Sequence, residues 1–155
     1  MRLPKVLDIK KYSSGITLIE ILIVLGIAAL LLGAGAPVAY NFYYQAQFES
    51  EYSLLFSTLQ QARNLSLVNH NKSAHGVYLE SETFITFQGS SFAARTASQD
   101  REFPRATQVT ISGPAEIVFA ALSGETSSST FSVSNGDRNR DIFVNAEGLV
   151  YEPNY

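Results

Sequence analysis

The hydrophobic and polar positions of the chain divide it into three parts with different periodicities. In the first part, residues 16–36 form an almost unbroken apolar run in which Glu20 is the one charged residue. At a rise of about 1.5 Å per residue, an α-helix of this length spans roughly 30 Å, the thickness of the hydrocarbon core of a bilayer. The pattern therefore predicts a transmembrane helix over residues 16–37.

Glycine and proline mark the end of this predicted helix. Gly33, Gly35 and Pro37 follow one another closely. In a helix interior, glycine costs about 1 kcal/mol and proline about 3 kcal/mol relative to alanine. We therefore expect a kink or local unwinding between Gly33 and Pro37. An equally good interpretation is that the small residues allow close packing against another helix.

The second part, residues 38–72, is amphipathic. Its apolar and small residues recur at spacings of three and four, which places them on one helical face. This face consists of Phe48, Tyr52, Leu55, Leu59, Ala62 and Ser66. Polar residues, among them Glu49, Glu51 and Arg63, occupy the opposite face. The pattern predicts that the helix continues to the polar run 69–73 and rests with one face on a head domain.

The third part, residues 73–155, alternates between apolar and polar residues with the period of β-strands. The predicted strands are 76–79, 83–87, 108–111, 116–119, 130–133, 141–144 and 149–151. Glycine-containing turns separate them, and the short spacing favours antiparallel hairpins and meanders. The predicted fold class is α+β, a long N-terminal helix packed on a small antiparallel β-sheet head. Polar loops are expected at 90–105 and 123–129, and loops often carry recognition residues.

Charge orients the predicted helix. Four basic residues, Arg2, Lys5, Lys10 and Lys11, precede Ile16 together with one acidic residue, so this end carries +3 and the rest carries −6 of the net −3. Because basic flanks stay in the cytoplasm, the sequence predicts a single-pass inner-membrane protein with an extracytoplasmic head. The acidic head disfavours nucleic acid as a partner. The chain has no cysteine, which excludes disulfides and thiolate metal sites.

The most specific motif lies at the start of the apolar run. The sequence GITLIE at residues 15–20, followed by apolar residues, resembles the prepilin signature of type IV pilins and type II secretion pseudopilins. The resemblance implies that a prepilin peptidase removes residues 1–15 by cutting between Gly15 and Ile16, and then methylates the amine of Ile16. It also implies assembly with other pilin or pseudopilin subunits at an inner-membrane platform. Phenylalanine is the commoner residue after the cut, so Ile16 departs mildly from the family pattern.

Glu20 fits the same interpretation on physical grounds. An ionisable side chain inside a membrane helix costs about 2.5 to 3.5 kcal/mol on insertion scales. Cleavage would create a cationic partner for Glu20, the new amine of Ile16 in a neighbouring subunit. We therefore expect Glu20 to act in assembly. The alternative is an ordinary single-pass anchor in which Glu20 lies near the lipid headgroups.

A second resemblance covers most of the chain. The layout of a long helix followed by a sheet is similar to the H-class pseudopilins and related minor pilins. The matching segments are 59–63, 76–79 and the closing hairpin 130–150, which contains Gly148. The resemblance implies a structural subunit, a minor pilin or pseudopilin of a type IV pilus or type II secretion pseudopilus. Two alternatives remain open, a monomeric membrane-anchored binding module and a DNA-uptake minor pilin.

A calcium site is a weaker candidate. Asp137, Asn139 and Asp141 supply the alternating oxygen ligands of a calcium loop. No glutamate follows at the distal position, however, and Asn135-Gly136 is a strong hairpin signal by itself. The sequence therefore favours a plain turn.

Arginines and histidines give the remaining candidates. Arg138 and Arg140 could contact DNA phosphates, but residues 149–155 contain no arginine, whereas related DNA-binding pilins carry an arginine-bearing tail. His70 and His75 lie five residues apart with no carboxylate close in sequence, so we expect them at the surface rather than in a metal site. No nucleophile–base, zinc-protease, P-loop or dinucleotide-binding pattern is present. The sequence predicts neither an enzyme nor a cofactor.

Overall fold

One long helix dominates the N-terminal part of the chain. A computed structural model describes residues 15–153, apart from the side chains of residues 34–39. Helix α1 runs over Leu18–Leu67, a total of 50 residues. The apolar run and the amphipathic segment of the sequence thus belong to a single element. The chain divides into two compact units, Met1–Tyr40 and Asn41–Tyr155.

The C-terminal end of α1 is set by two asparagines. Asn69 and Asn71 both adopt the left-handed backbone conformation, with φ of 53°. Asparagine visits this conformation more readily than other residues with a Cβ, because its short polar side chain can form local hydrogen bonds. The chain therefore leaves the helix after Leu67 and makes a short 3-10 turn over His70–Lys72.

Eight strands follow and form two four-stranded antiparallel sheets. The strands are β1 His75–Leu79, β2 Thr83–Gln88, β3 Arg101–Pro104, β4 Thr110–Ser112, β5 Glu116–Phe119, β6 Ser129–Ser134, β7 Asn139–Val144 and β8 Val150–Tyr151. The first sheet has the order β3-β2-β1-β5 and the second the order β4-β6-β7-β8. The predicted α+β class is confirmed, with two sheets where the sequence predicted one.

A single apolar core joins the amphipathic part of α1 to both sheets. The helix contributes Phe48, Tyr52, Leu55, Leu59 and Ala62, which are the face predicted from periodicity. The first sheet contributes Val77, Phe84, Ile117 and Phe119, and the second contributes Phe131, Val133, Ile142, Val144 and Val150. Full burial of an aliphatic or aromatic side chain stabilises a fold by about 1.5 to 3 kcal/mol, so this cluster supplies the main driving force for folding of the head.

Ser66 ties the end of the helix to the first sheet. Its hydroxyl donates a hydrogen bond of 2.9 Å to the carbonyl oxygen of Phe119 and accepts one of 2.9 Å from the backbone N–H of His75. The carbonyl of Ser66 also accepts the N–H of Leu122 at 2.9 Å. Because Ser66 is fully buried, these bonds satisfy backbone groups that water cannot reach.

Two expectations about polar residues were wrong. Glu51, assigned to the exposed face of the helix, is buried, and its carboxylate lies 3.5 Å from Nε of Arg105. The same carboxylate accepts the backbone N–H of Ala106 at 3.1 Å. His75, expected at the surface, is 4% exposed. Glu51 pairs with a residue 54 positions away, and His75 follows the chain reversal after α1, so helical periodicity could not indicate either burial.

The segment predicted as a loop over 90–105 is more ordered than expected. Its end forms edge strand β3, and its middle folds back on the outer face of the first sheet. There the ring of Phe92 stacks on Tyr78 with centroids 3.8 Å apart. The guanidinium of Arg95 lies 3.7 Å from the centroid of the Phe92 ring and pairs with Asp100 at 2.7 Å. These contacts occupy side chains that a recognition loop would present to a ligand.

Candidate assembly helix and processing site

The predicted cleavage site lies just outside the helix. Gly15, Ile16 and Thr17 are exposed and non-helical, and α1 begins at Leu18. The backbone N–H of Glu20 donates to the hydroxyl oxygen of Thr17 at 3.3 Å and to its carbonyl oxygen at 3.1 Å, so Thr17 caps the helix. The peptide bond between Gly15 and Ile16 is thus free of helical hydrogen bonds and accessible for cleavage. Residues 1–14 of the predicted leader lie outside the described residues.

The first turns of α1 present an uncovered apolar surface. Twelve large apolar side chains from Ile16 to Leu32 are between 46 and 79% exposed. Soluble monomers rarely expose apolar patches larger than a few hundred Å². This surface therefore requires lipid or other apolar helices around it.

Among the residues described with their side chains, no helix is both long enough and apolar enough to cross a membrane. The predicted transmembrane segment, 16–37, includes four residues whose side chains lie outside that description.

The assembly role of Glu20 and the kink at the glycine-proline segment remain predictions. Glu20 is exposed in the first turn of α1, and within residues 15–153 no cation forms an ion pair with its carboxylate. The helix is continuous through residues 33–37. A Cβ added at Gly33 would meet nothing within 4 Å, while the surroundings of Gly35 and Pro37 lie outside the description. The predicted kink stays a prediction.

The two arginines of the β6–β7 hairpin are engaged within the head. The guanidinium of Arg140 lies 3.8 Å from the centroid of the Tyr52 ring and pairs at 2.7 Å with both Glu49 and Glu152. Arg138 lies 4.0 Å from Glu49. Burial works to lower the pKa of Arg140, but the hydrogen bond and charge of Glu152 outweigh burial and raise that pKa above its usual value. Neighbouring carboxylates thus compensate these charges, which disfavours phosphate binding.

The residues of the candidate calcium site lie in the β6–β7 hairpin. The side-chain oxygen of Asn135 accepts the backbone N–H groups of Asp137 and Arg138 at 3.2 and 2.9 Å. One carboxylate oxygen of Asp141 accepts the hydroxyl of Ser132 at 2.6 Å. Within the described part of the chain, no three His, Asp or Glu side chains come close enough together to hold a metal ion. The hydrogen bonds of this segment therefore serve the hairpin.

Sequence reasoning missed two features of the head that matter for its integrity. One is the buried pair of Glu51 and Arg105, whose members are 54 positions apart in the chain. The other is the approach of His70 to His75, whose ring centroids are 5.6 Å apart. The asparagines at 69 and 71 were the available signal for the second feature, because left-handed residues on both sides of His70 fold the turn back towards β1.

Comparison with known proteins agrees with this arrangement. A family model for the prokaryotic N-terminal methylation motif matches residues 10–36. Among solved structures, the minor pseudopilin EpsH from the Type 2 Secretion System of Vibrio cholerae is similar with a TM-score of 0.55. The match has 11% sequence identity and covers 69% of this chain and 96% of that chain. No curated protein matches the chain.

The two matches concern different parts of the molecule. The methylation motif covers the predicted cleavage site and residues 18–36 of α1. The structural match shows the fold, which is what a likeness at this identity shows. The motif supports the predicted membrane anchoring through the N-terminal helix. The chain thus carries the N-terminal methylation motif and shares the fold of a minor pseudopilin, and both findings support the predicted type IV pilin-like identity.

Proposed function

We propose that this chain is a structural subunit, a minor pilin or pseudopilin, of a type IV pilus or type II secretion pseudopilus. One observation carries the proposal. A non-helical, exposed Gly15–Ile16 bond directly precedes a helix whose apolar side chains are uncovered, and that helix bears Glu20 in its first turn. The methylation-motif match spans this same region.

Processing turns the start of the helix into an assembly element. Prepilin peptidase removes residues 1–15 and methylates the amine of Ile16, which remains a cation. That amine then pairs with Glu20 of a neighbouring subunit as the helix moves from lipid into the filament. The pair offsets the cost of an unpartnered carboxylate in an apolar environment, about 2.5 to 3.5 kcal/mol on insertion scales. The remaining exposed apolar residues of α1 pack against the helices of other subunits.

The head suits a structural role better than a DNA-uptake role. Arg138 and Arg140, the arginines closest to the end of the chain, lie beside Glu49 and Glu152. Residues from Ile16 onward carry a net charge of −6. A phosphate backbone would have to displace these carboxylates, so tight binding of nucleic acid is disfavoured.

The experiment that tests the proposal is substitution of Glu20. Glu20→Ala should be cleaved and inserted like the wild type, yet should be absent from sheared filaments and from inter-subunit crosslinks. Glu147→Ala, which removes an exposed carboxylate from the head, is the matched control and should be incorporated normally. Normal incorporation of Glu20→Ala would contradict the pairing and would favour a monomeric membrane-anchored binding module.

A further inference from the structure

A groove runs between the C-terminal part of α1 and edge strand β8. Its volume is about 240 Å³, and it is lined by Gln60, Arg63 and Asn64 of the helix and by Leu149 and Val150 of the closing hairpin. All five residues belong to the same compact unit of the chain. The groove thus combines a helix face with the edge of a sheet.

Arg63 brings a positive charge into this groove without a partner for it. Within residues 15–153 it forms no ion pair with an Asp or Glu, whereas Arg95, Arg105, Arg138 and Arg140 each do. Its side chain is half-buried, and its Nε is shielded from water and donates no hydrogen bond to a described residue. Charged groups that are removed from water are normally paired. A carboxylate from another molecule would supply the missing negative charge.

The aliphatic stem of Arg63 packs against the loop between β5 and β6. A Cβ added at Gly124 in that loop would lie 3.6 Å from Cγ of Arg63 and 3.0 Å from Cδ2 of Leu67. The same loop is tied to the helix, because the N–H of Leu122 donates to the carbonyl of Ser66 at 2.9 Å. This packing restricts the motion of the arginine, which lowers the conformational entropy that is lost when a partner binds.

The opposite wall of the groove offers backbone hydrogen-bonding groups. Strand β8 ends the sheet order β4-β6-β7-β8. The N–H of Asn145 donates to the carbonyl of Leu149 at 3.1 Å, and residues along an antiparallel pair alternate between bonded and non-bonded positions. Val150, opposite Val144, therefore directs its N–H and C=O away from β7. Such an edge can pair with an extended segment of another chain.

Two exposed leucines beside Arg63 indicate that the partner is a protein. Leu149 lines the groove and is 50% exposed, and Leu122, in the loop that packs on Arg63, is 69% exposed. Leu122 also has a φ of 71°, a left-handed conformation that is unfavourable for leucine. Strained residues concentrate at binding sites, and a leucine held in this way in water contributes little to the isolated head. A partner with apolar side chains would cover both leucines.

We propose that the groove lined by Arg63, Leu149 and Val150 binds an extended segment of a neighbouring filament subunit that carries an Asp or Glu side chain. The carboxylate pairs with Arg63, and the backbone of the segment pairs with Val150. This binding rests on the proposed function, in which other subunits pack along α1. Nucleic acid is a poorer occupant, because the chain after the predicted cut carries a net charge of −6.

The test places the photo-crosslinking residue p-benzoylphenylalanine at position 149 of the full-length protein in its native host. After irradiation, filaments are sheared from the cells and crosslinked peptides are sequenced by mass spectrometry. We expect crosslinks to an acidic segment of another filament subunit. Arg63→Met should lower the crosslink yield at least about fivefold, since a hydrogen bond to a charged group changes affinity by a factor of about ten or more. Arg63→Lys keeps the charge without the planar fork and should give an intermediate yield.

Controls separate loss of binding from loss of folding. Arg101→Met removes another arginine, exposed on edge strand β3 of the other sheet, and should leave the yield unchanged. In detergent, Arg63→Met should keep the wild-type melting temperature within about 2 °C, because the guanidinium has no partner among the described residues. Once the partner peptide is sequenced, Arg63→Glu combined with an arginine in place of the partner's carboxylate should restore the crosslink that either change alone removes.

Several results would overturn the inference. Equal yields for the wild type and Arg63→Met would do so, as would a crosslinked peptide without an acidic residue. Crosslinks to DNA or lipid that depend on Arg63 would assign the groove to phosphate groups instead. Wild-type protein that is present in sheared filaments but forms no crosslink from position 149 would refute this inference alone. Absence of the wild type from filaments would contradict the proposed function and this inference together.

Discussion

The hydrogen bonds of the Ser66 hydroxyl predict how much stability the head loses when this residue is replaced. Replacement by alanine removes a hydroxyl that joins the carbonyl of Phe119 to the N–H of His75, each at 2.9 Å. Both backbone groups lie at the matched ends of β1 and β5, where His75 and Phe119 are opposite each other. Because Ser66 is fully buried, water cannot replace the lost partner without opening the core.

The magnitude follows from the number of groups left unpaired. Each buried donor or acceptor without a partner costs about 1 to 3 kcal/mol. Ser66→Ala should therefore destabilise the head by about 3 kcal/mol, and for a unit of this size the melting temperature should fall by roughly 10 °C. Ser57→Ala is the matched control, since Ser57 lies in the same helix and its exposed hydroxyl donates to the carbonyl of Leu54. It should change the melting temperature by no more than about 2 °C.

Near-UV circular dichroism of the full-length protein in detergent suits this comparison, because the chain has eight tyrosines and no tryptophan. Far-UV spectra should show that both variants retain the long helix. Equal melting temperatures for Ser66→Ala and the wild type would refute the reasoning, because they would mean that the two backbone groups find other partners. A fall of the same size for Ser57→Ala would show that the effect belongs to the helix rather than to the bridge.

Three other changes to the head have expected outcomes. Arg105→Met leaves the buried carboxylate of Glu51 without its ion-pair partner and should lower the free energy of unfolding in urea by about 3 kcal/mol. Adding Glu51→Gln should recover part of this loss. No recovery would contradict the ion pair. Gly148→Ala should destabilise the head strongly, because the φ of Gly148 is +74° and an added Cβ would collide with a backbone carbonyl. Gly136 has open space around it, so Gly136→Ala should lower the free energy of unfolding by only about 1 kcal/mol in thermal melts. The stability of the head should fall as pH drops below about 6.5, because burial lowers the pKa of His75 in the folded state and the unfolded chain takes up the proton first. His75→Gln should flatten this part of the pH profile.

Local patterns predicted the regular elements of this chain because their physical cause is local. The helical face that begins at Phe48 follows from a spacing of three and four, and β5 follows from the β-branched and aromatic residues at 117–119 between two glycine-containing turns. Strand β3 was missed for the same reason. Arg101–Pro104 forms an edge strand with three exposed residues and a terminal proline, so it carries little of the apolar alternation by which strands are recognised.

Features that depend on distant partners could not be predicted. A glutamate on a helix normally indicates an exposed face, and nothing near Glu51 in the sequence indicates that Arg105 will cover it. The burial of His75 likewise depends on Ser66 and on the chain reversal at residues 69–71. The predicted processing site rests on the contiguous residues 15–20, so the sequence alone can show it without any tertiary contact, and the methylation-motif model matches this region.

The central claim is that cleavage before Ile16 converts a membrane anchor into an assembly helix. Intact-mass measurement of the protein extracted from membranes of its native host tests it most directly. The account predicts a chain that lacks residues 1–15 and carries one added methyl group, placed on Ile16 by fragmentation. A mass equal to that of the full 155-residue chain, with residues 1–15 retained, would contradict the account.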